Sequence, residues 1–423
     1  MRFQQIVTFG SLAVILLVGG LAAGFFLRHS EGKISREVVK LLDQIDSYAD
    51  IGRVARRYNY IKAEVAAADP RVEILQPKKF LPGYRVVMGV EPDLVSYALT
   101  LIDATGAELH KWPIRYQSLV AETWIKHGIN PHGLEIFPDG SIAVNFDGNG
   151  DVLARINACG APVWVADGIY HHSLHLDQDG LLWTWVSPEN VEAPQQSIVA
   201  LEAATGAVVK EIDIFDIVAA AERNGLLLSI PPDYKIRRFT PQVNVAPKHD
   251  AFHPNDVEPL PRGLADQYPL FDAGDLVISL RNIDFVGVVD PDTLEIKWSG
   301  FGPWIKQHDP DFIGDGVIEI YDNNIHRGRS NLIAVNPATG EMTRRFLSPE
   351  SHFYSRIQGK HQRLPNGASL VTVPGEGRVM EIDSEGRPIM IYDNIADDGL
   401  NGRVFNAIWV PEDFFETLPN CPG

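Results

Sequence analysis

Short runs of alternating apolar and polar residues follow one another along most of this chain. Turns rich in Gly, Asn and Asp separate these runs, as in the segments FPDGS, LDQDG and LPNGA. Six similar units begin near Gly83, His132, His172, His253, His308 and His361. Alternation with a period of two, interrupted by such turns, predicts antiparallel strands joined as hairpins.

The length of the units indicates how the strands assemble. Units of about forty to fifty-five residues with three or four strands each are typical of propeller blades. The pattern therefore predicts an all-β fold, a six-bladed β-propeller over residues 70–423, in which the chain from Asn401 onward returns to close the ring. Within it, residues 214–250 form a predicted insertion with a helix at IVAAAERNG and a proline-rich loop.

The N-terminal part of the chain has different patterns. Residues 6–27 carry no charge and are mostly apolar, and about 20 such residues span a bilayer as a helix. We predict a transmembrane anchor within residues 1–30, with a signal sequence cleaved near Leu21-Ala22-Ala23 as the alternative. Residues 31–69 repeat apolar positions near the helical period, which predicts a helical stalk that Asp69-Pro70 ends.

Five of the units carry a histidine at the start of the strand that should line the central channel. The spacing from this histidine to the Gly of the following turn is about eight residues for His132, His172 and His308. It is two residues shorter for His361, and an insertion follows His253. Since one phase of a structural repeat occupies one spatial position in every copy, we expect these imidazoles to converge at one mouth of the channel.

Other polar residues accompany the histidines. The first unit has no histidine, and we expect Tyr84 or Arg85 to take its place. Asn255 follows the histidine of its unit by two residues, so that both side chains share one face of the strand. Arg281 ends the strand LVISLRN, and His171 adjoins the histidine of the third unit.

These residue types favour the transfer of an anionic group. Imidazole exchanges protons near neutral pH and is a good nucleophile when neutral. Arginine is a permanent cation suited to tetrahedral oxyanions such as sulfate or phosphate. The predicted chemistry is attack by a neutral histidine, with flanking imidazolium ions and Arg281 balancing the charge of the oxygens.

Composition narrows the other possibilities. The net charge of −18 argues against nucleic acid as a partner, and any anion site must be built from local cations. The two cysteines, Cys159 and Cys421, are either a disulfide or two buried thiols, and the sequence does not decide between them. A metal site at His171-His172-X-X-His175 is less favoured, because adjacent histidines on a strand face opposite sides.

The segments SLRNIDFVGVVDPDTLEIKWSG, GPWIKQHDPDFIGDGVIEIYDNN, HPNDVEPL, HHSLHLDQDG and KHQRLPNGASLVTV resemble the bacterial arylsulfotransferase family, over roughly residues 80–400. The resemblance implies an exported six-bladed propeller that moves a sulfuryl group from one phenol to another without a nucleotide sulfate donor. It implies that His308 is the nucleophile that carries the sulfuryl group. It also implies that His253, Arg281 and His172 hold the sulfate oxygens and move protons, with Asn255 nearby.

Further expectations concern the substrate and the location of the protein. From their places in the repeat and along the chain, His171, His132 and His361 are expected to contact substrate, and Trp304, four residues before His308, is expected to form a wall against its aryl ring. The resemblance implies an aryl sulfate and a phenolic acceptor as partners and a propeller on the periplasmic or extracytoplasmic side of a membrane. No cofactor or metal is expected. Two alternatives stay open: a non-catalytic propeller that binds a protein or glycan, and a metal-dependent lyase or hydrolase on the same fold.

Overall fold

The computed structural model describes residues 59–91, 96–120, 129–147, 150, 152–188, 193, 195–228, 250–346 and 348–421. The predicted anchor, most of the predicted stalk and the proline-rich part of the insertion lie outside these residues. The chain divides into two compact units, Met1–Arg57 and Tyr58–Gly423, and the described residues belong to the second. None of the described helices has the length and apolar character needed to cross a membrane.

Almost all of the regular secondary structure in the described chain is β-strand. The first fourteen are β1 Tyr60–Lys62, β2 Val72–Ile74, β3 Tyr84–Glu91, β4 Ser96–Ile102, β5 Glu108–Ile114, β6 Asn130–Ile136, β7 Ile142–Asp147, β8 Val152–Ile156, β9 Pro162–Asp167, β10 Ile169–Leu176, β11 Leu181–Ser187, β12 Ser197–Glu202, β13 Val208–Asp213 and β14 Pro254–Pro259. The others are β15 Leu276–Leu280, β16 Phe285–Val289, β17 Ile296–Gly300, β18 His308–Phe312, β19 Ile318–Asp322, β20 Asn331–Val335, β21 Met342–Arg345, β22 Lys360–Arg363, β23 Ser369–Val373, β24 Arg378–Ile382, β25 Pro388–Asp393, β26 Ile395–Asp397, β27 Leu400–Gly402 and β28 Val404–Val410. One α-helix, α1 Ile214–Arg223, and three short 3-10 turns, Tyr116–Ser118, Ala265–Gln267 and Arg281–Ile283, accompany them.

These strands form six antiparallel sheets that close into a ring. Blades 2 to 5 are β6–β9, β10–β13, β14–β17 and β18–β21; blade 6 is β22–β25 with β2 on its outer edge; blade 1 is β28–β3–β4–β5. The inner strand of each blade packs against the inner strand of the next, and β28 of blade 1 contacts both β22 of blade 6 and β6 of blade 2. The all-β propeller prediction is confirmed and the ring has six blades, while β1, β27 and β26 form a separate three-stranded sheet.

Blade 1 closes the ring with strands from both parts of the chain. Its inner strand is β28, which pairs with β3 along its length, as expected for a chain that returns after Asn401. The expectation that Tyr84 or Arg85 lines the channel is wrong, because both lie in the second strand of this blade. Arg85 instead forms a buried ion pair with Glu381 of blade 6, at 2.6 Å from Nε to Oε1.

A disulfide and a small sheet surround this closure. Cys159, in the turn between β8 and β9, is joined to Cys421 of the C-terminal tail. The prediction of a helical stalk is wrong for residues 60–62, which form β1 and pair with β27. The predicted helix of the insertion is confirmed as α1, which Asp213 caps through its carboxylate and the Phe215 N–H.

Candidate active site at one mouth of the propeller

The register of the sheets gives the inner strands a common reference point. The last residue of each inner strand pairs with the first or second residue of the second strand, in the pairs Ile136–Ile142, Leu176–Leu182, Pro259–Leu276, Phe312–Ile318, Arg363–Ser369 and Val410–Tyr84. The residue four positions before the end of each inner strand is therefore equivalent in all blades. In blades 2 to 6 and then blade 1, this residue is His132, His172, Asn255, His308, Gly359 and Asn406.

Three histidines therefore share one place in the repeat, as their equal spacing predicts. His253 lies two residues before Asn255, and His361 lies two residues after Gly359. The expectation of five equivalent histidines is wrong for these two. His253 still reaches the mouth, because its position extends beyond the start of β14 toward the same end of the channel, whereas His361 lies further down the strand.

Four imidazoles pack against one another at this mouth. The ring centroid of His172 lies 4.8 Å from that of His132, 4.8 Å from that of His171 and 5.1 Å from that of His253. The Nδ1 atoms of His171 and His172 are 2.6 Å apart, so one of them carries the hydrogen and the other accepts it. The Oδ2 atom of Asp147, the last residue of β7, lies 3.6 Å from Nδ1 of His132.

The backbone of this region is held in an uncommon conformation. His172 and His253 have φ angles of 63° and 48°, in the left-handed region that few residues other than glycine adopt. A bulge interrupts β10 between His171 and Leu174. Strained backbone and bulges at the start of an inner strand turn consecutive side chains toward the channel, which explains how both His171 and His172 reach the cluster despite strand alternation.

His308 is the first residue of β18, and its tautomer is fixed by its neighbours. Nδ1 lies 2.6 Å from Oδ1 of Asn323 and 3.2 Å from the Lys306 carbonyl oxygen. Asn323 donates both amide hydrogens, to the Ser355 and Gln358 carbonyls, so its oxygen must face the ring. Nδ1 therefore carries the hydrogen, and Nε2 accepts a 3.2 Å hydrogen bond from the Gln358 N–H.

His253 has a carboxylate partner. Its Nδ1 lies 3.0 and 2.9 Å from the two carboxylate oxygens of Asp250, and Asn282 donates to the same carboxylate at 3.1 Å. This arrangement orients the imidazole and leaves Nε2 for another partner, which suits a group that gives and takes a proton.

Arg281 lies beside His253, in the 3-10 turn that follows β15. Its backbone N–H donates to the His253 carbonyl at 3.1 Å, and its Nη1 donates to Asn282 at 3.2 Å. Its Nε is buried without a hydrogen-bond partner, so the guanidinium keeps donor capacity for an anion. Asn255 is similar: Nδ2 donates to the Gln307 carbonyl at 2.8 Å, and its buried Oδ1 has no partner.

Burial controls the charge of the cluster. Desolvation lowers the pKa of His132 and lowers that of His171 to about 4. It holds the pKa values of His172 and His308 well below their usual range, and the nearby positive charge of Arg281 lowers that of His308 further. These four imidazoles are therefore neutral at pH 7, so the expectation that imidazolium ions flank the site is wrong for them. Arg281 supplies the permanent positive charge.

Two of the predicted site residues do not join the mouth. Trp304 is only 1% exposed, and its indole N–H donates to the Asp284 carbonyl at 2.8 Å. It packs in the core between blades 4 and 5, so the expectation that it forms a wall against substrate is wrong. His361 lies between blades 5 and 6, with Nδ1 3.0 Å from Asp309 and Nε2 3.5 Å from Glu319.

A layer of buried ion pairs lies beneath the histidines. The ammonium of Lys360 lies 2.5 Å from Asp309 and 3.3 Å from Asp256, and Nε2 of His175 lies 3.3 Å from the same Asp256 oxygen. Lys360 and His175 lower the pKa of Asp256 to about 2, although burial acts in the opposite direction. Inner strands of blades 3 to 6 are thus tied together below the mouth.

Sequence reasoning missed three acidic or amide residues at the mouth. Asp250 precedes His253 by three residues in the segment HDAFH, and that spacing was a usable signal. Asp147 ends the second strand of blade 2, and Asn323 directly follows the second strand of blade 5. Only the sheet register brings them to the histidines.

The family model described as Arylsulfotransferase (ASST) matches residues 133–394 of this chain, which is more than half of its length. No curated protein is matched significantly by the sequence.

Several solved structures are similar at low identity. A protein of unknown function from Bacteroides caccae is 12% identical, with a TM-score of 0.48, over 76% of this chain and 97% of that one. TolB from Acinetobacter baumannii is 13% identical, with a TM-score of 0.46, over 78% and 67%. Virginiamycin B lyase from Staphylococcus aureus is 13% identical, with a TM-score of 0.37, over 64% and 72%. These similarities are too low to carry an argument about function.

Proposed function

The chain belongs to the arylsulfotransferase family, and from that membership we propose that it moves a sulfuryl group from an aryl sulfate to a phenolic acceptor through a covalent intermediate on His308. No nucleotide sulfate donor takes part. The observation that carries the proposal is the fixed tautomer of His308, whose protonated Nδ1 is bound by Asn323. A neutral imidazole with its lone pair on Nε2 is the form that attacks sulfur.

In the first half-reaction, Nε2 of His308 attacks the sulfur of the aryl sulfate and the bond from sulfur to the aryl oxygen breaks. The Gln358 N–H, which binds Nε2 at 3.2 Å in the free protein, is released by this attack and can donate to a sulfuryl oxygen instead. Arg281 binds the other oxygens through its unpartnered Nε. A well-placed donor of this kind contributes about 3–4 kcal/mol to the transition state.

Proton transfer is assigned to His253. The leaving phenolate oxygen takes a proton from Nε2 of its ring, while Asp250 holds Nδ1 at 2.9 Å. In the second half-reaction the acceptor phenol returns a proton to the same nitrogen as its oxygen attacks sulfur, and the bond from Nε2 of His308 to sulfur breaks. His172, which the resemblance assigns to the sulfate oxygens, packs against His253; in this scheme the Gln358 N–H and Arg281 bind those oxygens instead.

Transfer between phenols tests the proposal. The full-length protein should move sulfate from nitrophenyl sulfate to phenol. After incubation with the donor alone and quenching by denaturation, the protein should carry one sulfuryl group on His308 by mass spectrometry. His308→Asn should abolish both signals, and Arg281→Ala should slow transfer by about 10²–10³-fold. Arg262→Ala is a matched control, because Arg262 is 63% exposed and pairs only with an exposed aspartate. Transfer at the wild-type rate by His308→Asn would refute the mechanism.

We further propose that the propeller lies outside the cytoplasm, attached to a membrane through residues 6–27. The disulfide between Cys159 and Cys421 supports this location, because such bonds persist in oxidising compartments. In cells with a permeabilised outer membrane and an intact inner membrane, a protease that does not cross the inner membrane should degrade the propeller. Protection equal to that of a cytoplasmic marker would contradict this location.

A further inference from the structure

A second arrangement of side chains at the mouth is not used by the sulfuryl-transfer scheme. His132, Asp147 and His172 each offer one ligand atom, and these atoms all lie within 4.8 Å of one another. His132 and Asp147 belong to adjacent strands of blade 2, and His172 belongs to β10, the inner strand of blade 3. All three lie within strands rather than in loops, His132 and His172 at β-bulges and Asp147 opposite Asn130, and a position on a strand is more precise than one on a loop.

The distance between His132 and Asp147 leaves Nδ1 of His132 without a hydrogen-bond partner. Nδ1 of His132 is 3.6 Å from Oδ2 of Asp147, which is too long for a hydrogen bond. His132 is only 4% exposed, and its Nδ1 is buried without a hydrogen-bond partner. Ligands about 2.1 Å from a tetrahedral ion lie about 3.4 Å from one another, so the observed gap fits two ligands of one ion.

His172 has the environment of a ligand as well. Metal-binding histidines commonly bond their second ring nitrogen to a neighbouring acceptor, which fixes the ring. Nδ1 of His172 lies 2.6 Å from Nδ1 of His171, so His171 supplies this outer contact and Nε2 of His172 is left for an ion. We propose that a divalent transition metal binds to His132, Asp147 and His172.

The ligand types select the class of ion. Two imidazoles and one carboxylate suit zinc, cobalt, nickel or ferrous iron, and three protein ligands leave a coordination position for substrate or water. Among the residues that the structure describes, one other group has this spacing, Asp309, Asp311 and His361. There the ammonium of Lys360 already lies 2.5 Å from Asp309, so a lysine supplies the cation and no metal is needed.

An ion at this position would act as a Lewis acid next to the cluster. Bound to a phenolic oxygen, it would favour the phenolate form of the acceptor. This catalytic use rests on the proposed sulfuryl transfer, whereas binding of the ion does not.

Metal binding is measured without reference to activity. Full-length protein purified without a histidine tag is stripped with chelator and titrated with Co²⁺, whose visible absorption reports nitrogen and oxygen ligation, and zinc content is measured by mass spectrometry after dialysis. The expected result is one equivalent per chain, with Asp147→Asn and His132→Asn at least 10-fold weaker and still folded by circular dichroism.

Two control variants locate the site. Asp250→Asn makes the same change at a carboxylate of similar exposure, 23% against 25% for Asp147, and Asp311→Asn alters the competing group; both should bind Co²⁺ as the wild type does. Uptake below about a tenth of an equivalent, unchanged binding by Asp147→Asn, or loss only in Asp311→Asn would overturn the proposal. Sulfate transfer by metal-free protein is assayed separately, so that failure of metal binding and failure of the proposed function give different results.

Discussion

The Asn323 side-chain oxygen lies 2.6 Å from Nδ1 of His308, while both hydrogens of that amide are donated to backbone carbonyls of the segment that leads into blade 6. The amide cannot rotate without losing two hydrogen bonds, so it holds one imidazole tautomer. Position in the sheet produces this contact: Asn323 directly follows β19, and His308 pairs with Tyr321 of that strand.

Replacing Asn323 with leucine should release the tautomer. We expect kcat for sulfate transfer to fall by at least about 10-fold with little change in KM. The loss should stay below the roughly 10⁴-fold cost of a histidine in the wrong tautomer, because the Lys306 carbonyl also accepts from Nδ1 at 3.2 Å. Nitrogen NMR of the labelled His308 ring should show a mixture of tautomers, a result that a purely structural role would not produce. Asn366→Leu, on an exposed turn, is the control and should leave both readouts unchanged.

Removing the charge of Asp250 should expose the role of His253 as an acid. Asp250→Asn keeps the size of the side chain but withdraws the carboxylate that lies 2.9 Å from Nδ1. Transfer from sulfates of weakly acidic phenols should slow by about 10²-fold or more, whereas transfer from nitrophenyl sulfate, whose leaving group needs little protonation, should slow much less. Equal losses for both donors would show that Asp250 does not act through proton transfer.

The sequence predicts the blades and three of the mouth histidines correctly for one reason. Hairpin turns are encoded locally, so the equal spacing from His132, His172 and His308 to the turn glycine carries through to equal positions in the ring. The two-residue difference for His361 was visible in the same count, and it corresponds to the displacement of that ring to the space between blades 5 and 6. In blade 4 an insertion separates His253 from the turn glycine, so the register of its inner strand could not be predicted from this spacing.

Contacts between distant strands were beyond the reach of sequence patterns. The strand that lines the channel in blade 1 comes from residues 404–410, and nothing local distinguishes an inner strand from a second strand. Trp304 lies close to His308 along the chain, yet its ring turns into the core, since sequence distance does not give side-chain direction. The partners Asn323 and Asp147 depend on the register of the sheets, whereas Asp250 lies only three residues before His253.

Lys360 should be essential for stability because it compensates two buried carboxylates. Its side chain is 11% exposed, against 0% for Asp256 and 2% for Asp309. Lys360→Met leaves these charges without a cation, and removing one partner of a buried ion pair costs about 3–5 kcal/mol. Denaturant unfolding should show this loss, and adding Asp309→Asn should restore part of it. Lys210→Met, whose partner Asp292 is 84% exposed, should cost less than about 1 kcal/mol; an equally small effect at Lys360 would contradict the compensation.

Glu258 should make the stability of the propeller depend on pH in a defined direction. This residue lines a cavity of about 160 Å³ with Glu135 and His175, toward the end of the channel opposite the histidine cluster. Burial raises its pKa to about 7; the carboxylates of Asp256 and Asp309 act in the same direction, and His175 and the Phe312 N–H oppose them.

Because the native state holds this proton more tightly than the unfolded chain does, stability is lost as the pH rises from about 4.5 to about 7. Glu258→Gln is uncharged at every pH, so relative to wild type it should gain about 1–3 kcal/mol between pH 5 and pH 8, after allowance for partial exposure. Urea unfolding of both proteins at the two pH values measures the difference, which includes the coupling between Glu258 and His175. The exposed Glu412→Gln variant should show no such gain, and a pH-independent difference between Glu258→Gln and wild type would rule out the raised pKa.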